Sequence, residues 1–362
     1  MEKRVHNFSA GPGVLPEEVL LEVQKNLFNY KGQGLSVMEM SHRSKAYGEI
    51  IETTKERMLR IMDLSKDEYD VLFLQGGAST QFLMIPLNLC ADDKVANYVD
   101  TGTWSTKAWK EAQKIGKKMH IAASSKDGDF TFIPKEFKLS ENPAYLHITT
   151  NNTIRGTEFK FDPEVPADVP LIADMSSNFL SKPMDFKKYD LIYGGAQKNI
   201  GPAGCTFVVI KKSLQEKFQS GLPTMLDYKT HIEKESMFNT PPAFAIYVVG
   251  EVLKWIEDKG GLAEIEKRNI KKAGYIYDVI DNSDFYTCPV VKEDRSLMNI
   301  PFRLPTPELE AKFMAEAAEK DLVTLKGHRS VGGCRASVYN AMKLESAKAL
   351  SEFMIEFEKN NK

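Results

Sequence analysis

Short apolar runs alternate with helix-like or turn-rich segments between residues 70 and 210 of this chain. The runs are Val71–Leu74, Lys94–Val99, Ala144–Ile148, Leu171–Ala173, Leu191–Tyr193 and Thr206–Ile210. Continuous apolar runs of this length are typical of strands buried on both faces, and helical connections between them are typical of parallel sheets. The pattern therefore predicts an α/β domain with a mainly parallel sheet.

The pattern changes to a helical period at residues 243–258, which end at the Gly260-Gly261 stop. The apolar positions on this predicted helix are Ile246, Val249, Leu253 and Ile256. The chain beyond it mixes both patterns and predicts a smaller α+β domain. Its helices are predicted at 263–280, 307–320 and 344–359, and its strands at 298–303 and 334–338.

Composition narrows the class of protein. A chain of 362 residues suggests two domains, and 42% hydrophobic with 27% charged residues excludes disordered and fibrous proteins. The net charge of −2 gives no bulk attraction for nucleic acid. Four scattered cysteines form no C-x-x-C pair, and no apolar run has the length of a membrane helix or a secretory signal. We therefore expect a cytoplasmic protein without metal, nucleic-acid or membrane partners.

The segment with the most chemical information is the glycine-rich bend that carries Lys198 after the run at Leu191. It lacks the G-K-[ST] ending of a phosphate-binding Walker A loop. A lysine that is partly desolvated on such a loop has a lowered pKa, which suits imine formation with an aldehyde cofactor. The alternative is a solvated lysine on a surface turn.

Three further segments follow predicted strands and supply what a pyridoxal-type cofactor needs. Asp174 stands at the carboxyl end of a strand, where open α/β sheets bind ligands, although an aspartate there also suits a turn or a helix N-cap. The Gln75-Gly-Gly-Ala-Ser-Thr turn opens a helix, whose amides can bind phosphate. Trp104 could stack on a planar ring or pack in the core.

Paired basic residues indicate an anionic substrate. His42-Arg43 and His328-Arg329 stand among small residues, and Arg335 follows the second pair. Guanidinium groups bind carboxylate and phosphate bidentately, so this set suits a dianion, whereas surface salt bridges are the alternative. Cys334 beside Arg335 is better explained as a buried structural thiol than as a nucleophile.

Blocks that span nearly the whole chain carry a resemblance to a known family. They are Asn7–Gly13, Ser41–Lys45, Gln75–Ala78, Thr101–Trp104, Ala173–Ser177, the Lys198 loop, Phe238–Pro242 and Gly327–Ala341. In their order and spacing, the sequence resembles the phosphoserine aminotransferase family of class V pyridoxal-phosphate enzymes. The resemblance implies fold type I, the aspartate aminotransferase-like fold, in which a large domain with a mainly parallel seven-stranded sheet accompanies a smaller α+β domain. It places the large domain at residues 14–256 and the small one at 1–13 and 257–362.

The resemblance also implies roles for residues around the cofactor. Lys198 would carry pyridoxal 5'-phosphate covalently and move the substrate proton, and Asp174 would pair with the ring nitrogen. Trp104 would stack on the ring. The remaining cofactor contacts implied are Ala78, Ser79, Thr153, Gln197, Asn239 and Thr240. The last two would reach the phosphate from a neighbouring subunit, which implies a homodimer with shared sites.

On the substrate side, the resemblance assigns the α-carboxylate to Arg335 and an amino-acid contact to Ser9. His42 with Arg43, and His328 with Arg329, match residues around the distal phosphate or carboxylate. Ser79-Thr80 replaces an arginine that many bacterial members have after the Gly-Gly-Ala turn, so the distal anion is expected to depend on these pairs.

The implied reaction is a ping-pong transfer of the amino group from L-glutamate to 3-phosphohydroxypyruvate. It gives O-phosphoserine and 2-oxoglutarate in serine biosynthesis, with a possible second role in pyridoxine biosynthesis. Within the same fold, an alanine or serine:glyoxylate aminotransferase and a cysteine desulfurase are alternatives. A binding protein that has lost catalysis and a nucleotide-binding α/β enzyme are the alternatives from other classes.

Overall fold

Most strands of the protein belong to one central sheet in the computed structural model, which describes residues 4–362. In chain order the strands are β1 (His6–Asn7), β2 (Tyr69–Leu74), β3 (Val95–Asp100), β4 (Met119–Ser124), β5 (Pro143–Thr149), β6 (Leu171–Asp174), β7 (Leu191–Gly195), β8 (Thr206–Lys211), β9 (Asn299–Phe302), β10 (Leu322–Val323) and β11 (Cys334–Ser337). The helices are α1 (Glu17–Asn26), α2 (Lys45–Ile61), α3 (Gly77–Leu89), α4 (Thr103–Lys114), α5 (Tyr228–Glu233), α6 (Ala243–Asp258), α7 (Gly261–Asp281), α8 (Pro307–Glu319) and α9 (Leu344–Asn361).

The central sheet has seven strands in the order β2-β8-β7-β6-β5-β3-β4. Only β8 runs antiparallel to its neighbours, so the predicted mainly parallel sheet is confirmed. Each apolar run between residues 70 and 210 forms one of its strands. The pattern did not predict β4, because this edge strand is half-exposed and has no continuous apolar run.

The sheet is buried on both faces, which explains why its inner strands are continuously apolar. Alternate residues point to opposite sides: Phe73 joins a core cluster with residues of α2 and α6, whereas Leu72 joins one with residues of α3 and α4. The predicted helix at 243–258 coincides with α6. Gly260 and Gly261 have φ of 97° and 75°, and this left-handed backbone separates α6 from α7.

A second core lies between α7, α8, α9 and the antiparallel pair β9 and β11. It contains Ile276, Phe313 and Phe353 from the helices, and also Phe8 from the start of the chain. The N-terminal strand β1 pairs in parallel with β10, which fixes Phe8 in this core. The helices and strands predicted for the last hundred residues are confirmed, whereas the two-residue strands β1 and β10 were not predicted from the pattern.

Candidate active site

The carboxyl ends of β5, β6 and β7 bring polar residues together at one edge of the sheet. Thr149 is in register with Asp174 at the end of β6, and Asp174 with Tyr193 on β7. The chain then turns through the Lys198 bend. A cavity of about 140 Å³ lies there. It is lined by the predicted residues Ala78, Ser79, Trp104, Thr153, Asp174, Gln197 and Lys198, and also by Gly77, Thr149, Asn151, Ser176 and Ser177.

Lys198 is half-buried and lines this cavity. Its Nζ donates a hydrogen bond of 2.7 Å to Oγ1 of Thr153 and lies 5.8 Å from the centre of the Trp104 ring. Burial lowers the pKa of Lys198 to about 8; the positive charge of Arg335 lowers it further, whereas Asp174 opposes the shift. The amine is therefore partly neutral near pH 8, as a nucleophile or proton acceptor must be.

Asp174 is a buried carboxylate held through one of its two oxygens. Oδ1 accepts hydrogen bonds from the Ser176 backbone N–H at 2.9 Å and from the Ser176 hydroxyl at 2.6 Å. Within residues 4–362, no group donates to Oδ2. Burial raises the pKa of Asp174, and the Ser176 hydroxyl and the charge of Lys198 act against that increase. Oδ2 is thus free for a cationic partner in the cavity.

The glycine turn before α3 forms an anion cradle. Gly76 has a φ of 89°, and a Cβ there would lie 2.0 Å from Oγ1 of Thr80, so only glycine fits. The Thr80 hydroxyl donates back to the Gly76 carbonyl at 3.1 Å, whereas Ser79 lines the cavity. The first amides of a helix have no intrahelical acceptor, and here no acidic residue occupies the first turn. They can therefore bind phosphate.

Basic residues stand beside the cavity. Arg335 Nη1 donates to the Thr153 carbonyl at 3.2 Å. Burial lowers the pKa of His328, and the positive charges of Arg335, Arg329 and Lys107 lower it further. Lys107 was not predicted; its Nζ lies 4.3 Å from the centre of the Trp104 ring. Its signal in the sequence is the spacing of three residues from Trp104, which places both on one face of α4.

Other predicted residues lie apart from this cavity within one chain. His42 and Arg43 stand in the segment before α2, and in the described part of the chain no hydrogen bond or ion pair joins their side chains to the cavity. Asn239 lines a neighbouring cavity, which Gly76 also lines. The Thr240 carbonyl accepts a hydrogen bond from Gln75 at 3.1 Å. Asn239 and Thr240 therefore do not line the Lys198 cavity of their own chain.

Sequence reasoning assigned no role to several cavity residues. Ser176 donates a hydrogen bond to Asp174, while Thr149 ends β5 and Asn151 lies two residues beyond it. Thr149 Oγ1, Asn151 Oδ1 and Trp104 Nε1 are buried atoms without a hydrogen-bond partner within residues 4–362. Such unpaired polar groups are costly unless a bound molecule or water satisfies them. The sequence could have indicated Thr149, Asn151 and Ser176 as cavity residues, because they stand at or just beyond the carboxyl ends of predicted parallel strands.

Two absences concern the described residues only. Across residues 4–362, no three His, Cys, Asp or Glu side chains are grouped so that they could hold a metal. No helix in that range is long and apolar enough to cross a bilayer.

Cys334 is buried, and burial raises the pKa of its thiol to about 12, as expected for a structural rather than a nucleophilic cysteine.

Comparisons with known proteins agree with this geometry. The class-V aminotransferase family model matches residues 5–350. A phosphoserine aminotransferase from Desulfatibacillum aliphaticivorans is 54% identical over 100% of both chains. The solved phosphoserine aminotransferase of Bacillus circulans subsp. alkalophilus is 48% identical, with a TM-score of 0.97 and 100% of both chains covered.

A relative of lower identity has the same fold. The solved phosphoserine aminotransferase of Trichomonas vaginalis, described with bound pyridoxal phosphate, is 39% identical with a TM-score of 0.92. It covers 97% of this chain and is itself covered completely. The resemblance and the fold class expected from the sequence are therefore confirmed. This chain belongs to the class-V aminotransferase family, within its group of phosphoserine aminotransferases.

Proposed function

We propose that the chain catalyses reversible transfer of the amino group from L-glutamate to 3-phosphohydroxypyruvate. The products are O-phospho-L-serine and 2-oxoglutarate, as the serine biosynthetic pathway requires. One observation carries the proposal: an amine with a pKa of about 8 and a buried carboxylate meet in a single cavity, on neighbouring strand ends beside an anion cradle. The full-length identity to phosphoserine aminotransferases supports the same activity.

The residues present fit pyridoxal 5'-phosphate. Lys198 would hold the cofactor covalently, the amides at Ala78 and Ser79 would bind its phosphate, and Trp104 would lie against its ring. Thr153 and Gln197 line the same space, and the unpaired buried atoms of Thr149 and Asn151 offer further polar contacts. When bound, the cofactor supplies an electron sink for charge that develops at the substrate α-carbon.

Asp174 and Lys198 have different roles in handling protons during the reaction. Asp174, with Oδ2 free, would pair with the cofactor's ring nitrogen and keep it protonated, and its Ser176 hydrogen bonds fix its orientation. The Lys198 amine, partly neutral at pH 8, takes the α-proton and returns it. Thr153 accepts a hydrogen bond from Lys198 and so orients it.

The basic cluster selects the substrate. Arg335 would bind the α-carboxylate, because its guanidinium lies at Thr153 and its Nε is buried without a partner among the described residues. His328 and Arg329 would bind the distal phosphate or carboxylate, and Ser9 would contact the amino acid. Alanine offers no distal anion to such a cluster, which favours glutamate and phosphoserine over an alanine:glyoxylate reaction.

The chain would act as a cytoplasmic homodimer with shared sites. Asn239 and Thr240 would reach the partner's cofactor phosphate, and we extend this arrangement to His42 and Arg43, which lie apart from the cavity in their own chain. We also propose a division into a large domain at 14–256 and a small domain at 1–13 and 257–362. Phe8 in the second core and the β1–β10 pairing support that division.

The visible absorbance of the purified protein tests the reaction. We expect the cofactor band to be lost when glutamate or O-phosphoserine is added, and to be restored by 2-oxoglutarate or 3-phosphohydroxypyruvate respectively. Alanine with glyoxylate is the control pair. A response to glutamate but not O-phosphoserine would discard the substrate, and absence of any band after adding pyridoxal phosphate would overturn the role of Lys198.

The lowered pKa of Lys198 gives a second prediction. In the cofactor-free protein, acetylation of Lys198 by acetic anhydride should be half-maximal at about pH 8, because only the neutral amine reacts and its pKa is about 8. Mass spectrometry of the Lys198 peptide measures this, with Nα-acetyl-lysine as internal standard. Acetylation that follows the standard, half-maximal at about pH 10.4, would contradict the prediction.

A further inference from the structure

Tyr339 stands two residues beyond β11 and links the small-domain segment to the start of the chain. Its side chain is buried, with 1% of its surface exposed. The hydroxyl donates a hydrogen bond of 2.7 Å to the carbonyl of Ala10. It accepts one of 3.2 Å from Nδ2 of Asn299 on β9. One buried hydroxyl therefore ties the N-terminal segment to the second core.

The ring of Tyr339 also holds this segment against the Lys198 loop. A Cβ at Gly13 would lie 2.7 Å from the Tyr339 ring and 2.9 Å from the Lys198 carbonyl, so the backbone passes between them only as glycine. The Gly13 N–H donates to the Gln197 carbonyl at 2.7 Å. Gly11 lies beside the Lys198 side chain: a Cβ there would be 3.7 Å from its Cγ. We call residues 9–13 the N-terminal strap.

Tyr339 is itself fixed relative to Lys198. Buried Lys272 donates from Nζ to the Tyr339 carbonyl at 2.5 Å. The N–H of Asn340 donates to Oδ1 of Asn199 at 3.0 Å, and Asn199 is the residue after Lys198. A shift of Tyr339 relative to Lys198 would break these buried contacts, and each buried group left unpaired is costly. The strap therefore has a rigid anchor.

We propose that Tyr339 is a positioning residue that holds the N-terminal strap over Lys198, so that Ser9 is presented to the amino-acid substrate. This inference rests on the proposed function, because Ser9 acts only if an amino acid binds at Lys198. Tyr339 acts through the Ala10 carbonyl and the Gly13 backbone and has no contact with the substrate of its own.

The substitution Tyr339→Phe removes the hydrogen bond to the strap and keeps the ring that covers Gly13. The Ala10 carbonyl loses its donor. Asn299 loses one of the two acceptors of its Nδ2 and keeps the other, the Ser337 hydroxyl at 2.9 Å. Tyr286→Phe is the matched control, since Tyr286 is also a buried tyrosine and its hydroxyl also donates to a carbonyl, that of Met354 at 2.8 Å.

Two measurements test the proposal. In Tyr339→Phe we expect KM for glutamate and O-phosphoserine to rise about fivefold to tenfold, with kcat nearly unchanged. A change of this size corresponds to the free energy of one hydrogen bond. Hydrogen–deuterium exchange of the peptide that contains residues 8–15 should be faster in the variant, with and without cofactor. Tyr286→Phe should match the wild type in both measurements.

The outcomes separate this inference from the proposed function. Unchanged exchange in Tyr339→Phe would overturn the strap contact, and faster exchange with unchanged KM would overturn the positioning role. Equal changes of KM and of exchange in Tyr286→Phe would show that both changes reflect a general loss of stability. That result would also overturn the positioning role of Tyr339. A wild-type protein without transaminase activity would refute the proposed function and with it the role of Ser9, while exchange would still report on the strap.

Discussion

Lys198→Ala is expected to lower transamination by at least about 10⁴-fold, the upper range for removal of a general acid–base group, because the same residue also holds the cofactor. The remaining cavity residues would still bind the substrate and cofactor, but the described chain places no other lysine amine in the cavity. Product formation from glutamate and 3-phosphohydroxypyruvate, followed by mass spectrometry, measures the loss.

Three further experiments make the Lys198 result specific. Lys198→Arg keeps a positive charge without a neutral amine and should be as inactive as the alanine variant. Methylamine added to Lys198→Ala should restore part of the turnover if a missing proton acceptor is the cause. Borohydride reduction should attach the cofactor to the Lys198 peptide of the wild type alone. Near-normal turnover in Lys198→Ala would refute the assignment.

Asp174→Ala should reduce kcat by about 10²–10³-fold, the usual cost of losing one preorganised electrostatic contact in a buried site. The carboxylate is buried, so its charge acts through a low dielectric and few other groups can replace it. Covalent capture of the cofactor at Lys198 should persist, because Asp174 does not supply the amine. Steady-state kinetics and borohydride labelling measure the two effects separately.

Asp174→Asn distinguishes charge from shape. Asparagine can keep the Ser176 contacts at its amide oxygen but carries no negative charge, so we expect a loss close to that of the alanine variant. Retention of most of the wild-type kcat in Asp174→Asn would show that the charge at this position is dispensable. Loss of cofactor capture in both variants would instead assign Asp174 to binding.

The strands and helices that bury most surface were predictable because their signal is local. The inner strands of the sheet are covered on both faces, so each is a continuous apolar run, and α6 is amphipathic enough for its bounds to match the predicted range. The edge strand β4 is half-exposed and lacked that signal. The two-residue strands β1 and β10 are too short to show any period.

Lys198, Asp174 and Trp104 could be found for a related reason. Each follows an apolar strand at a turn, and parallel strands present their carboxyl ends at one edge, so local patterns already indicate a shared site. The resemblance to a known family then added roles that no pattern supplies. The substrate contacts and the domain bounds remain predictions.

The sequence by itself determined the fold class, the central elements and the residues at strand ends. The reason is that the buried faces of a segment set the spacing of the apolar residues within that segment. Only the tertiary structure decided that Lys198 donates to Thr153, that Arg335 donates to the Thr153 carbonyl and that Tyr339 donates to the Ala10 carbonyl of the strap. These contacts join residues through the packing of separate elements, and no local period records which elements meet. The lowered pKa of Lys198 has the same origin, since desolvation depends on everything packed around the amine.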